Sequence, residues 1–280
     1  MSQPEANQPP ATLVGHHPGP IRDLVWKHPM ATFVVLACIF AWALIPVFGS
    51  PLGSGPFLAA VIVLAVTQGR RGLRDLFSQM TRWRVSWKWY AAAIGLPASA
   101  AIVAALVTVG LGAPRPTSAQ LGEWTGILPF FAFAMLVPLL GPWEEPGFRG
   151  FALNGFLRNR SVLVAGISVG VIHVFWHAPL FFTGDIPPAD VVYILAASVV
   201  FAWLVTGSGG SVLLAMIMHA TSNAVSGEYI STFFNDHDAG TLGWIRAGIW
   251  CVFALAVALS GSRRMMVGPV TEPVKVEVLS

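Results

Sequence analysis

The sequence is short of charge. Only 10% of its 280 residues are Asp, Glu, Lys or Arg, whereas 55% are hydrophobic and the mean hydropathy is +0.69. A soluble domain carries about 25% charged residues. So few charges cannot clothe a soluble surface, and the apolar excess must face lipid. Cysteine is scarce as well. Cys38 and Cys251 stand far apart in apolar runs and read as packing thiols rather than a disulfide or a metal pair. No basic stripe interleaved with aromatics lies on a polar face, so nucleic acid is not an expected partner. The formal charge of +3 is small, and its placement says more than its sum.

What the chain has is a series of apolar runs, at 30–48, 53–68, 89–113, 125–140, 161–182, 190–206, 211–226 and 242–260. A membrane span needs about 20 residues, and shorter ones survive where neighbours shield them. The expected fold is all-α, a polytopic bundle of about eight transmembrane helices over 29–262. A disordered tail rich in Pro, Gln, Asn and Gly is expected at 1–28, and a second polar tail at 263–280. The apolar run behind the first tail starts too far along for an ordinary signal peptide and reads as a retained span.

The charges sort by side. Arg22 and Lys27 precede the first run; Arg70, Arg71, Arg74, Arg82, Arg84 and Lys88 fill the connection after the second; Arg158 and Arg160 follow the fourth; Arg263, Arg264 and Lys275 follow the last. The alternate connections carry Arg115 and Arg246 but also Glu123, Asp185, Asp190, Glu228, Asp236 and Asp238. The positive-inside rule puts both termini in the cytoplasm. The expected location is the cell membrane, a bacterial inner membrane in style. The stretch 70–88, with Leu73, Leu76, Phe77, Trp83 and Trp87 among its basic residues, has the pattern of an amphipathic interfacial helix. Gly166 and Gly170 have the spacing of a close helix contact inside the bundle.

Ionisable groups within spans are costly and mark function. Glu145 and Arg149 are four apart and face each other on a helix, while Glu144 points about 100° away. One carboxylate is then neutralised and the other left free, the division between a structural and a reactive acid. His173 and His177 share a face, with Pro179 loosening the helix beside them. His219 and Asn223 share another and can donate hydrogen bonds to an oxyanion. If the fourth helix runs on through the Glu pair, Glu144, His177 and His219 lie about 20, 24 and 18 Å from the basic end at ~1.5 Å per residue. Their depths agree to within about a turn or so.

In order, Glu144-Glu145-x-x-x-Arg149, the segment ending at His177, and His219-x-x-x-Asn223 resemble the motifs EExxxR, FxxxH and HxxxN of the type II CAAX prenyl endopeptidase family, also called the CPBP family of intramembrane proteases. The resemblance spans a protease core of about 70–225. It implies hydrolysis of a peptide bond in a membrane-associated protein or peptide, with membrane lipids as the other partners. Glu144 would activate water with help from His177. His219 and Asn223 would stabilise the oxyanion, and Glu145 and Arg149 would fix the geometry. His173 departs from the family, which usually has an aromatic residue there, and stands as a supporting residue. The cofactor stays open between a zinc ion held by Glu144, His177 and His219 and metal-free glutamate–histidine chemistry. A cytoplasm-facing cavity is expected. The competing readings are a non-proteolytic binding or bacteriocin-immunity protein of the same fold, and a transporter with a proton relay. The latter calls for inverted repeats that the sequence does not display. Its own C-terminus lacks a CaaX cysteine.

Overall fold

A computed structural model describes residues 19–260, and the expected tails at 1–18 and 261–280 fall outside that range. Among the described residues the chain is all-helical, without strands. The helices of two turns or more are α1 (Pro20–Lys27), α2 (Pro29–Trp42), α3 (Gly55–Thr67), α4 (Gly69–Met80), α5 (Trp87–Gly110), α6 (Ile127–Leu136), α7 (Val162–Trp176), α8 (Ala189–Gly207), α9 (Val212–Ser222) and α10 (Asp236–Leu259). Each apolar run has therefore become helix. Among the described residues, five stretches are long and apolar enough to cross a membrane: Pro29–Val47, Trp87–Gly110, Ser118–Glu144, Ala189–Gly207 and Asp236–Leu259. Gly55–Thr67 and Val162–Trp176 are shorter apolar helices.

The outer surface is apolar. Leu106, Leu136, Phe175 and Leu255 point outward and exposed, as side chains do when they face lipid. The centre is α8, which packs between α7 and α10, while α9 and α10 pack on α5 and α2 packs on α3. Small residues allow the closest of these approaches. A Cβ on Gly166 would lie 3.1 Å from Val199 Cα, and one on Gly170 would lie 3.3 Å from Leu195 Cα. The glycine pair thus serves packing within the chain, as its spacing suggested.

The connections gather at two ends. At the basic end the Arg82 guanidinium donates to the Gly209 carbonyl, Ser211 Oγ donates to the Arg82 carbonyl (2.7 Å), and Asn154 Nδ2 donates to Gln79 Oε1 (2.9 Å). At the other end Gln120 Nε2 donates to the Thr232 carbonyl (2.8 Å) and Tyr229 Oη to the Leu121 carbonyl (3.0 Å).

Two expectations need correction here. Residues 20–27 are not a disordered tail but α1, started by Pro20 in the first turn, where its missing N–H costs nothing, and anchored by buried Val25. The stretch 70–88 is not one helix. Its amphipathic part is α4, with Leu76 buried and Arg70, Arg71 and Arg74 exposed; it stops at Met80, and α5 restarts at Trp87 behind Ser86. Cys38 is buried and Cys251 is exposed on α10, both as free thiols, so only Cys38 is a packing residue.

Candidate active site

The site begins where α6 fails. Val137 precedes Pro138 and adopts an extended conformation (φ −96°, ψ 113°), because the proline ring disfavours helix in the residue before it. The fourth helix therefore ends at Leu136 rather than kinking through the Glu pair, contrary to the assumption used for the depth estimates. The freed backbone is satisfied locally, as it must be away from water. Gly53 N–H donates to the Leu139 carbonyl (3.1 Å), and the Trp143 indole donates to the Met135 carbonyl (3.1 Å). A 3₁₀ turn, Gly141–Glu144, then hands over to a π-helical segment, Pro146–Ala152. A second π segment, Asn223–Tyr229, continues α9. Wide turns of this kind re-aim side chains and often flank functional sites.

These irregular segments bring together groups far apart in sequence. Glu145 is fully buried and Arg149 is 2% exposed. Arg149 Nη1 lies 3.1 Å from Glu145 Oε2 and donates to Oε1 at 3.2 Å. Glu145 Oε1 also accepts from His219 Nδ1 at 2.7 Å, and Arg149 Nη2 donates to Ser198 Oγ at 3.0 Å. The guanidinium lies over the Phe201 ring, 4.6 Å from its centroid. A buried charge is tolerable only when so paired and bonded.

His173 bridges the two carboxylates' neighbourhoods. Arg149 Nη1 approaches His173 Nδ1 at 3.3 Å, and His173 Nε2 lies 2.8 Å from Glu144 Oε2. Arginine can only donate, so Nδ1 is the acceptor and Nε2–H donates to the carboxylate. Glu144, 5% exposed, is therefore not free as expected but held by a neutral imidazole, while Glu145 takes the arginine. His177 Nδ1 donates to the His173 carbonyl (3.0 Å), which leaves its Nε2 with a lone pair. His219, donating through Nδ1, likewise presents Nε2. Both rings are thus fixed in the tautomer that offers Nε2 as base or ligand.

The cavity beside this cluster has a volume of about 170 Å³. Glu145, Arg149, His173, His177, His219 and Asn223 line one side of it; Asp190, Tyr193 and Phe201 on α8 line the other. Glu144 lies one hydrogen bond behind that wall, through His173. The expected site residues Glu144, Glu145, Arg149, His173, His177, His219 and Asn223 are therefore all in or against one buried cluster. Leu180 and Ile186, from the connection at the end opposite the basic one, and Asp190, at the start of α8, also line it.

The donors also sort differently with respect to a metal. Glu144, His173 and His177 each offer a ligand atom, and these atoms lie within 4.8 Å of one another. A carboxylate and two imidazoles are zinc-type donors, but His173, accepting through Nδ1 and donating through Nε2, has no free lone pair as bonded here. His219 is not among these three, so the set differs from the expected trio of Glu144, His177 and His219 in holding His173. Sequence reasoning missed Ser198, Asp190 and Tyr193, whose polar side chains on an otherwise apolar span were the available signal. It also missed Gly141, where a Cβ would lie 2.5 Å from His219 Nε2 and 3.0 Å from Asn223 Nδ2.

Residues 122–225 match the family model described as type II CAAX prenyl endopeptidase Rce1-like. CAAX prenyl protease 2 of Methanococcus maripaludis is 20% identical over 181 residues, 60% of this chain and 67% of the relative. The resemblance first read from three short motifs thus extends over the whole stretch that builds the cluster, residues 122–225, which is similar to the type II CAAX prenyl endopeptidases, Rce1-like.

Proposed function

We propose that the protein is an intramembrane endopeptidase of the CPBP type that hydrolyses a peptide bond in a membrane-associated protein or peptide. The observation that carries this reading is the division of labour between adjacent buried carboxylates. Glu145 is held by Arg149 and His219, while Glu144 is held only by a neutral histidine and keeps an oxygen for chemistry.

In this reading Glu144 takes a proton from water, as a positioned general base does. His173 Nε2–H orients the carboxylate. His177 Nε2, pointing its lone pair into the cluster, accepts a hydrogen bond from the same water and aligns it on the scissile carbonyl. Attack puts negative charge on the carbonyl oxygen, and Asn223 Nδ2 supplies a donor for it. The proton on Glu144 then passes to the leaving amine. His219, with its Nδ1–H held by Glu145, presents an Nε2 lone pair that can accept from a substrate N–H. Zinc on Glu144, His173 and His177 would require His173 to give up its Nε2–H in favour of the metal, and would then polarise the carbonyl and acidify the water. Metal analysis of the purified protein, with a chelator challenge to cleavage, reads its contribution directly.

The chain is read as crossing the membrane eight times with both termini on the basic, cytoplasmic side, in a cell membrane of bacterial type. The test of the catalytic assignment is Glu144→Gln in reconstituted protein offered membrane-anchored reporter polypeptides, with fragments identified by mass. Cleavage should fall by about 10²–10⁴-fold, the usual worth of a general base, with insertion unchanged. Cleavage at the wild-type rate would remove Glu144 from the mechanism.

A further inference from the structure

The backbone changes pitch at a residue that lines the cavity. α9 ends at Ser222, and the π segment begins with Asn223. The Asn223 carboxamide makes no side-chain hydrogen bond among the described residues, and it lies against Gly141, where a Cβ would come within 3.0 Å of Nδ2. Its aim therefore follows the backbone that carries it. A π turn is an uncommon backbone state, and here it is held by two neighbouring helices.

From α8, Tyr193 Oη shares a hydrogen bond with Oγ of Ser222, the residue before Asn223 (2.9 Å). From α10, Arg246 Nη1 donates to Oγ of Ser226, three residues after Asn223 (2.8 Å). Arg246 Nη2 donates to Asp190 Oδ1 at the start of α8 (2.6 Å). Ser222 and Ser226 are both buried. The guanidinium lies 4.7 Å from the Tyr193 ring centroid, and Trp250, one turn further along α10, meets that ring edge-on at 5.5 Å. One arginine thus ties α10 to α8 and to the π segment. Its planar guanidinium presents donors in a rigid fork, so it fixes Asp190 and Ser226 relative to each other. Asp190, Tyr193 and Asn223 line the cavity, and Arg246 stands behind them.

An oxyanion donor works only when it is placed before the charge develops. A misplacement of about 1 Å, even from a change far from the chemistry, costs about 10²-fold. We propose that Arg246 is a positioning residue for Asn223, acting through Ser226 and through the Asp190–Tyr193 edge of α8 to fix where the Nδ2 donor stands. The clamp itself rests on the packing; what Asn223 donates to rests on the proteolytic reading.

The experiment is a double-mutant cycle on Arg246→Met and Asn223→Ala, with kcat and KM measured on reconstituted full-length protein and membrane-anchored reporter polypeptides. Asn223→Ala should lower kcat by about 10²–10³-fold, as loss of one oxyanion donor does. Arg246→Met should lower kcat by about 10–10²-fold with KM unchanged, and Arg246→Lys should restore part of the loss. In the Asn223→Ala background, Arg246→Met should change kcat by less than about twofold, because the two residues act as one unit. Losses that multiply in the double variant, or a rise in KM alone, overturn the proposal. Should Arg246→Met fail to fold, Ser226→Ala and Tyr193→Phe take its place in the cycle, since each cuts one contact and leaves the Asp190–Arg246 pair intact. A second readout needs no cleavage. In NMR spectra of protein carrying isotope-labelled asparagine, the Asn223 side-chain amide is the signal missing from Asn223→Ala. The wild type should give one sharp signal and Ser226→Ala a broadened or split one. An unchanged signal overturns the clamp. A wild type that cleaves no reporter yet keeps this contrast overturns the proteolytic reading and supports the clamp.

Discussion

Arg149 is the residue on which the buried cluster depends most. It partners Glu145, Ser198 and His173 while almost wholly excluded from solvent. Arg149→Leu leaves Glu145 as an uncompensated buried charge, and removing one partner of such a pair costs about 3–5 kcal/mol. Thermal unfolding in detergent should show the loss, and an unchanged midpoint would mean that the pair is solvated after all. His173 tests a subtler role. Among the described residues its Nε2–H is the one side-chain hydrogen bond given to Glu144. His173→Phe should lower kcat by about 10–100-fold, as loss of an orienting partner does, with little change in KM, and His173→Gln should restore part of it. The i,i+4 spacing made the Glu145–Arg149 contact legible in the sequence. Nothing local showed that His219 would choose Glu145 rather than Glu144, because that choice is made by how three chain segments dock.

The apolar runs identified the helices, since hydrophobic length is a strong signal even where caps are weak. Their breaks were less legible. The fourth helix was expected to run on through the Glu pair, yet it ended earlier, at Val137–Pro138, and Pro142 and Pro146 went into a 3₁₀ turn and a π segment. The spacing of Gly166 and Gly170 was informative because small residues at helical register have few other uses inside a bundle. Gly170→Leu should push α7 off α8 and destabilise the fold by about 1–3 kcal/mol, the usual cost of overpacking; chemical or thermal denaturation measures it. Gly141→Ala acts on the 3₁₀ turn instead. Its methyl would meet His219 Nε2 and Asn223 Nδ2, so cleavage should fall at constant expression and folded yield. Wild-type kinetics in that variant would show that the turn yields without disturbing the two side chains.

The whole molecule is organised around two dissimilar ends. Arginines and lysines gather at one, and the hydrogen bonds that join connections fall into two sets that agree with that division. A reporter that works only in the cytoplasm should therefore be active when inserted after Arg158 and silent when inserted at Ile186; the opposite pattern would invert the molecule. Charge placement made this polarity legible from the sequence. At the centre of the account stands the claim that two neighbouring glutamates do different work, one reacting and one holding the bundle together. The direct measurement is cleavage and thermal unfolding side by side in Glu144→Gln and Glu145→Gln. Loss of cleavage at an unchanged unfolding midpoint is predicted for Glu144→Gln, and a lowered midpoint for Glu145→Gln. A stable, inactive Glu145→Gln beside an active Glu144→Gln would contradict the assignment.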